Sequence, residues 1–346
     1  MKVFCQGCYS ELTQNNDSDA HIIPNALGGN LKPRGIICRN CNGELDKIAD
    51  NPLIKAFGDW PTLLDIPRDR GGNPSKIVPT RNGRRVRLDA DGTLTRSDVI
   101  YNVEGDGEQS IVTIGAGDWK TFKNQLQRVA KQFPQFDPEV AFQHARKVPV
   151  DDGDELKLGF DFSPAAVFGG VVAAIWLFTS LKIGHGFCDW KRLLDVIAKM
   201  QRDGGLFRYL VNGFPGLLGP EIPISHKIVL RSNPGTRQLI AYVEILGVLR
   251  IGGVLGEGGD QPLEYMYVYD VFGRADRTDE FSIDQSQFES VKDWRTIGLG
   301  PGDADDLKKH FSVVLTDIFA KHYYDRFLDK EVEADRDNAS GGTLGT

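Results

Sequence analysis

Two Cys-x-x-Cys pairs, Cys5-Gln6-Gly7-Cys8 and Cys38-Arg39-Asn40-Cys41, constrain this chain more than any other feature. Four thiolates from two such knuckles close tetrahedrally around one zinc ion, and a zinc with only thiolate ligands keeps no open position for chemistry. The zinc is therefore expected to be structural. Residues 1–50 are rich in Cys, Asn and Gly and carry little apolar periodicity, as in a small unit held by metal rather than by a core. With five cysteines in 346 residues and no apolar leader after Met1, a disulfide scaffold is excluded and a reducing, cytoplasmic setting is expected.

On spacing alone, a zinc ribbon used only for binding nucleic acid or protein is an equally good reading. The enclosed residues shift that balance. Between the knuckles stands Asp19-Ala20-His21-Ile22-Ile23-Pro24-Asn25-Ala26-Leu27-Gly28-Gly29, and Arg34-Gly35-Ile36-Ile37 leads through the second knuckle into Asn42. Over residues 3–50 the chain resembles the HNH, or ββα-metal, endonucleases. Within them it is most similar to the zinc-framed branch, the HNH endonuclease 5 and phage endonuclease VII groups.

The resemblance implies hydrolysis of DNA phosphodiester bonds with Mg2+ or Mn2+ as catalytic cofactor. It makes His21, at the end of a first strand, the general base and Asn42 a ligand of the catalytic metal, with Cys5, Cys8, Cys38 and Cys41 holding Zn2+. Imidazole suits the first role because its ordinary pKa near 6.5 leaves a free lone pair at neutral pH. Magnesium prefers oxygen donors and keeps several waters, so one or two protein groups and a phosphate suffice. Ala20 departs from the family pattern, which places Asp or Glu directly before the histidine. Adjacent Asp19 is expected on the opposite side of the strand. Weak magnesium binding and slow or absent cleavage follow, through either an introduced inactivating change or a natural loss.

Beyond residue 52 the pattern predicts a connector over 53–75, a larger domain over 76–330 and a disordered tail over 331–346. Asn82-Gly83 and Asp91-Gly92 mark a hairpin meander over residues 76–95. Arg81, Arg84, Arg85 and Arg87 on it, with Arg34 of the first module, are the candidate phosphate contacts. For the hairpin arginines a charge-protected edge strand is the competing reading, and Arg34 can instead pair with an acidic neighbour. Helices are expected over 117–133, 163–182, 190–201 and 303–328, a short strand over 156–162, and an antiparallel sheet over 227–272. The uncharged run 164–181 approaches the length of a membrane span, but Ser163-Pro164 is a soluble helix start, so a buried core helix is expected. His185 and Cys188 have no second pair nearby, and the glycines from 252 to 259 read as a turn.

The fold class expected is α+β: a small zinc-bound ββα-metal module followed by a mixed domain with an antiparallel sheet and a buried helix. With 40% hydrophobic and 26% charged residues, a disordered or fibrous chain is excluded. The net charge of -7 does not exclude DNA as partner, because the acidity lies in the last quarter and residues 71–150 are net basic. No membrane partner is expected, and a homodimer is compatible with the sequence. Restriction or anti-phage defence follows from the resemblance alone.

Overall fold

The computed structural model describes residues 2–321 apart from 70, 91, 106–109, 147–154, 185–188, 206, 258–261, 301, 304 and 319. His185, Cys188 and the expected tail lie outside the described residues. The chain forms two compact units. One comprises Met1–Phe57, Ile66–Arg70 and Phe160–Thr346, and the other Gly58–Asp65 and Gly71–Gly159. The boundaries expected at 52 and 75 do not coincide with this division. Proline and glycine mark where a chain turns, not the unit on which the next segment packs; Ile66, inside the expected connector, is wholly buried in the first unit.

In the first unit a six-stranded antiparallel sheet runs in the order Ala275–Asp276, Glu264–Asp270, Ser225–Asn233, Gln238–Ile245, Leu249–Glu257, Phe207–Tyr209. Its central strands are buried almost throughout, which explains the continuous apolar run from Leu239 to Val243 in place of alternation. Val229, Ile240, Tyr242 and Val254 pack on one side with Phe214, Phe288 and Trp294. Gly252 and Gly253, expected in a turn, lie inside a strand. A Cβ on Gly252 would come within 2.8 Å of Leu210, so close packing requires the glycine.

The helix Pro164–Ile183 is apolar on all sides, and 78% of its most apolar stretch is buried inside the protein, with mean hydropathy 1.8. It is a core helix, flanked by the amphipathic helix Trp190–Asp203 and touching the central strands. Residues 305–318 are also helical. The helix Asn51–Ala56 of the N-terminal region seats Leu53 against Gly170, where a Cβ would approach Leu53 within 2.6 Å. The N-terminal region is thus built into the first unit.

The second unit holds a three-stranded sheet, Lys76–Pro79, Arg85–Leu88 and Leu94–Arg96, and a hairpin of Ile100–Gly105 with Ser110–Gly115. Helices Trp119–Gln132 and Pro138–Gln143 start at Asp118 and Asp137, whose carboxylates cap the first turns. The strand expected over 156–162 is reduced to one bridge between Leu156 and Thr80, while Phe160 and Phe162 pack on Phe311 in the first unit.

Candidate active site

The two knuckles bring their sulfurs together. All four Sγ atoms lie within 4.8 Å of one another, and those of Cys8 and Cys38 are 3.7 Å apart. Tetrahedral zinc with Zn–S bonds of about 2.3 Å requires S···S edges of about 3.8 Å. The donor set therefore fits zinc. The Cys5 sulfur accepts backbone N–H groups of Gly7 and Cys38 at 3.3 and 3.2 Å, and Cys8 meets the Ser10 hydroxyl at 3.0 Å. That hydroxyl holds the Cys8 thiol down at about 6, whereas burial pushes the Cys5 and Cys41 thiols up. Gly7 is required at the first knuckle, since a Cβ would stand 2.7 Å from the Cys41 sulfur.

Among the described residues, two isolated antiparallel bridges, Phe4 to Glu11 and Asp17 to Cys38, represent the strands expected of the module. His21 accordingly sits in extended chain rather than at a strand end. Scattered backbone hydrogen bonds join these segments, among them Leu12 N–H to the Val3 carbonyl at 2.8 Å and Ser18 N–H to the Ile37 carbonyl at 3.2 Å, beside the convergent sulfurs. After His21 the chain turns back through the 3-10 turn Asn25–Leu27, with Gly28 at φ 83° and the N–H of Ile22 bonded to the Leu31 carbonyl at 2.9 Å. A Cβ on Gly29 would fall 1.8 Å from the Ile23 carbonyl oxygen. The paired glycines are the means by which the loop closes.

The sheet anchors this loop. His226, wholly enclosed, donates from Nε2 to the Leu27 carbonyl at 2.9 Å and accepts the Leu246 N–H at Nδ1 at 3.3 Å. Both bonds require the neutral ring protonated at Nε2. Burial pushes its pKa down to about 4.

The second knuckle caps the helix Arg39–Leu45, whose first turns carry Asn42. The helix continues through a π-turn, Asp46–Asp50, where the N–H of Asn51 bonds to the Asp46 carbonyl, before resuming as Asn51–Ala56. In an α-helix, positions i and i+4 drift by about 40°. A turn with i→i+5 bonding winds less per residue and cancels that drift. Asn42, Asp46 and Asp50 consequently share one face, and all three line an open cavity of about 600 Å³ together with Asp17, Asp19, His21, Arg34 and Arg39. Burial, and then the neighbouring Asp46 charge, push the Asp50 carboxyl up to about 7.

His21 is held by a residue that lies far along the chain. Its Nε2 stands 3.2 Å from the Asp69 carboxylate, which also pairs with Lys32 and whose backbone N–H donates to the Asn25 side chain at 3.1 Å. Lys32 first, and then His21, hold the Asp69 carboxyl below its ordinary range. Nothing local in the sequence signals this contact.

His21, Asn42 and Arg34 are thus brought to one cavity beside the cysteine frame. Arg34 takes the acidic partner weighed for it, donating to both oxygens of Asp19, one at 3.0 Å. Ala20 is wholly buried and is not among the lining residues, whereas Asp19 and His21 on either side of it are. Alternation in extended chain accounts for this. The hairpin arginines belong to the second unit: Arg81 pairs with Glu155 at 3.0 Å, Arg87 bonds Asp89 at 2.9 Å, and Arg84 and Arg85 flank the same turn. Sequence reasoning missed Asp46, Asp50 and Asp69. The first two were accessible from their spacing after Asn42.

The cysteine frame, His21 and helix-borne Asn42 thus lie around one open cavity. Residues 5–58 match the family described as HNH endonuclease. No curated protein and no solved structure matches the chain.

Proposed function

We propose that this chain is a metal-dependent DNA endonuclease with His21 as general base, Asn42 as a metal ligand and Cys5, Cys8, Cys38 and Cys41 as a structural zinc frame. The observation that carries the reading is that His21 and Asn42, separated by a knuckle in sequence, line one cavity. The hard-oxygen donors there, one amide and several carboxylates, suit Mg2+ or Mn2+. When bound, such an ion stabilises the charge that develops on the phosphate and on the departing 3′-oxygen. Asp69 holds one nitrogen of His21, leaving the other to take the proton of the attacking water. Arg34 and Arg39, on the cavity wall, provide the positive charge that orients a phosphate. The role in restriction or antiviral defence rests on the resemblance alone.

Ala20 favours a second reading, a non-catalytic zinc module that binds nucleic acid, since position 20 offers no carboxylate. Plasmid nicking with Mg2+ or Mn2+ separates the two. Slow nicking, as Ala20 implies, that disappears in His21→Ala with zinc content and melting temperature unchanged is the expected result; DNA binding without any metal-dependent nicking selects the second.

A further inference from the structure

The helix Trp119–Gln132 of the second unit carries Lys120, Lys123, Arg128 and Lys131 and no carboxylate. At about 100° per residue, these four fall with Asn124 and Gln127 within an arc of about 140°. All six are exposed, while Leu126 and Val129 are buried on the opposite side. The outward face is therefore cation and amide throughout, in a chain whose net charge is -7.

The cations of the second unit differ in what already holds them. Arg81 pairs with Glu155, Arg87 with Asp89 and Arg96 with Asp98, at 3.0, 2.9 and 2.8 Å. On the helix, Lys123 meets Glu139 at 3.7 Å and lies over the Phe142 ring. Among the described residues, no ion pair reaches Lys120, Arg128 or Lys131. The nearest carboxylate along the chain, Asp118, is taken up by the helix cap, accepting the Thr121 N–H at 2.8 Å and its hydroxyl at 2.9 Å. Edge-on packing of Trp119 with Phe122 and Phe142, and a hydrogen bond from the Tyr101 hydroxyl to Gln132, fix the two ends of the helix. Like charges held along a fixed face repel one another, and a polyanion relieves that repulsion.

We propose that this face binds the phosphate backbone of duplex DNA. From Lys120 to Lys131 the stripe runs about 16 Å, a length over which one strand carries about five charges along the duplex axis. A single strand would call for aromatic rings interleaved with the cations, and the centre of this face has none. Contacts from lysine, arginine and amide groups to phosphate set position without reading bases, so the grip is independent of sequence. DNA as the partner rests on the nuclease reading, but the surface is not part of the cavity on which that reading stands.

The test is fluorescence anisotropy of a short labelled duplex with the full-length, zinc-loaded chain, in the absence of divalent metal and across a salt series. Lys120→Gln/Lys123→Gln/Arg128→Gln/Lys131→Gln should weaken binding by about tenfold or more and flatten the slope of log affinity against log salt by about three. The helix Trp190–Asp203 supplies a control of equal charge, since it also carries four cations. There, Lys191→Gln/Arg192→Gln/Lys199→Gln/Arg202→Gln should weaken binding by no more than about threefold. In the unmutated chain, the duplex should shield Lys120, Lys123 and Lys131 from amine acetylation, read by mass spectrometry, which keeps the test valid if a variant fails to fold. No duplex binding, equal losses in the two variants, unshielded lysines, or a preference for single-stranded DNA or polyglutamate over the duplex would overturn the proposal. Metal-dependent nicking alongside an indifferent variant of Trp119–Gln132 would sink the surface and spare the nuclease reading. Duplex binding that this variant abolishes, in a chain that never nicks DNA, would do the reverse.

Discussion

At the scale of single residues, the site combines groups that a motif reveals with groups that only folding reveals. The cysteines, His21 and Asn42 were legible because knuckle and histidine patterns are local in sequence. Asp69 was not, because it meets His21 from 48 positions away and sits in a stretch that reads as a connector. On the nuclease reading proposed above, Asp69 fixes the ring, so Asp69→Asn should reduce metal-dependent nicking by about tenfold or more, short of the 10²–10⁴-fold loss expected for removing the base itself. Unaltered nicking in Asp69→Asn would remove Asp69 from the mechanism. The thiolates make a separate prediction: Cys38→Ser should bring bound zinc, measured by elemental analysis, from one per chain to a small fraction. Thermal stability should fall with it, since structural zinc contributes on the order of 10 kcal/mol to such modules.

Among elements, the loop after His21 and the helix after Cys41 set the geometry. The loop depends on Gly29, whose missing side chain makes room for the Ile23 carbonyl. Gly29→Ala should therefore destabilise the protein by more than about 1 kcal/mol in denaturant titration, and a change within error would show that the loop has slack. The π-turn of that helix has no local signal in the sequence, and it lies against the helix Pro164–Ile183. The strands of the module were overread. The segments pair through scattered backbone hydrogen bonds and isolated bridges, too few in register to make a continuous ladder.

For the whole molecule, the sheet and apolar helix were visible in the sequence as runs and periodicities, whereas the partition into units was not. Chain order says little about which segments share a core, and here residues 160–321 close around the N-terminal module. His226 makes that enclosure measurable. Its folded-state pKa of about 4 lies below the ordinary value of about 6.5, so the unfolded chain takes up the proton first as pH falls. The stabilisation is complete above about pH 6.5 and is lost progressively down to about pH 4. Between pH 7.5 and pH 5 this single group should cost about 2 kcal/mol of folding free energy. His226→Gln should show a correspondingly shallower loss by chemical denaturation over that range, and equal slopes for the two proteins would refute the linkage.

The bond from His226 to the Leu27 carbonyl also bears on portability. A transplant of the first sixty or so residues into a foreign host would leave that oxygen without its donor and Leu53 without its glycine notch. Moving the site to another host therefore requires the sheet and the apolar helix to travel with the cysteines as one inseparable body.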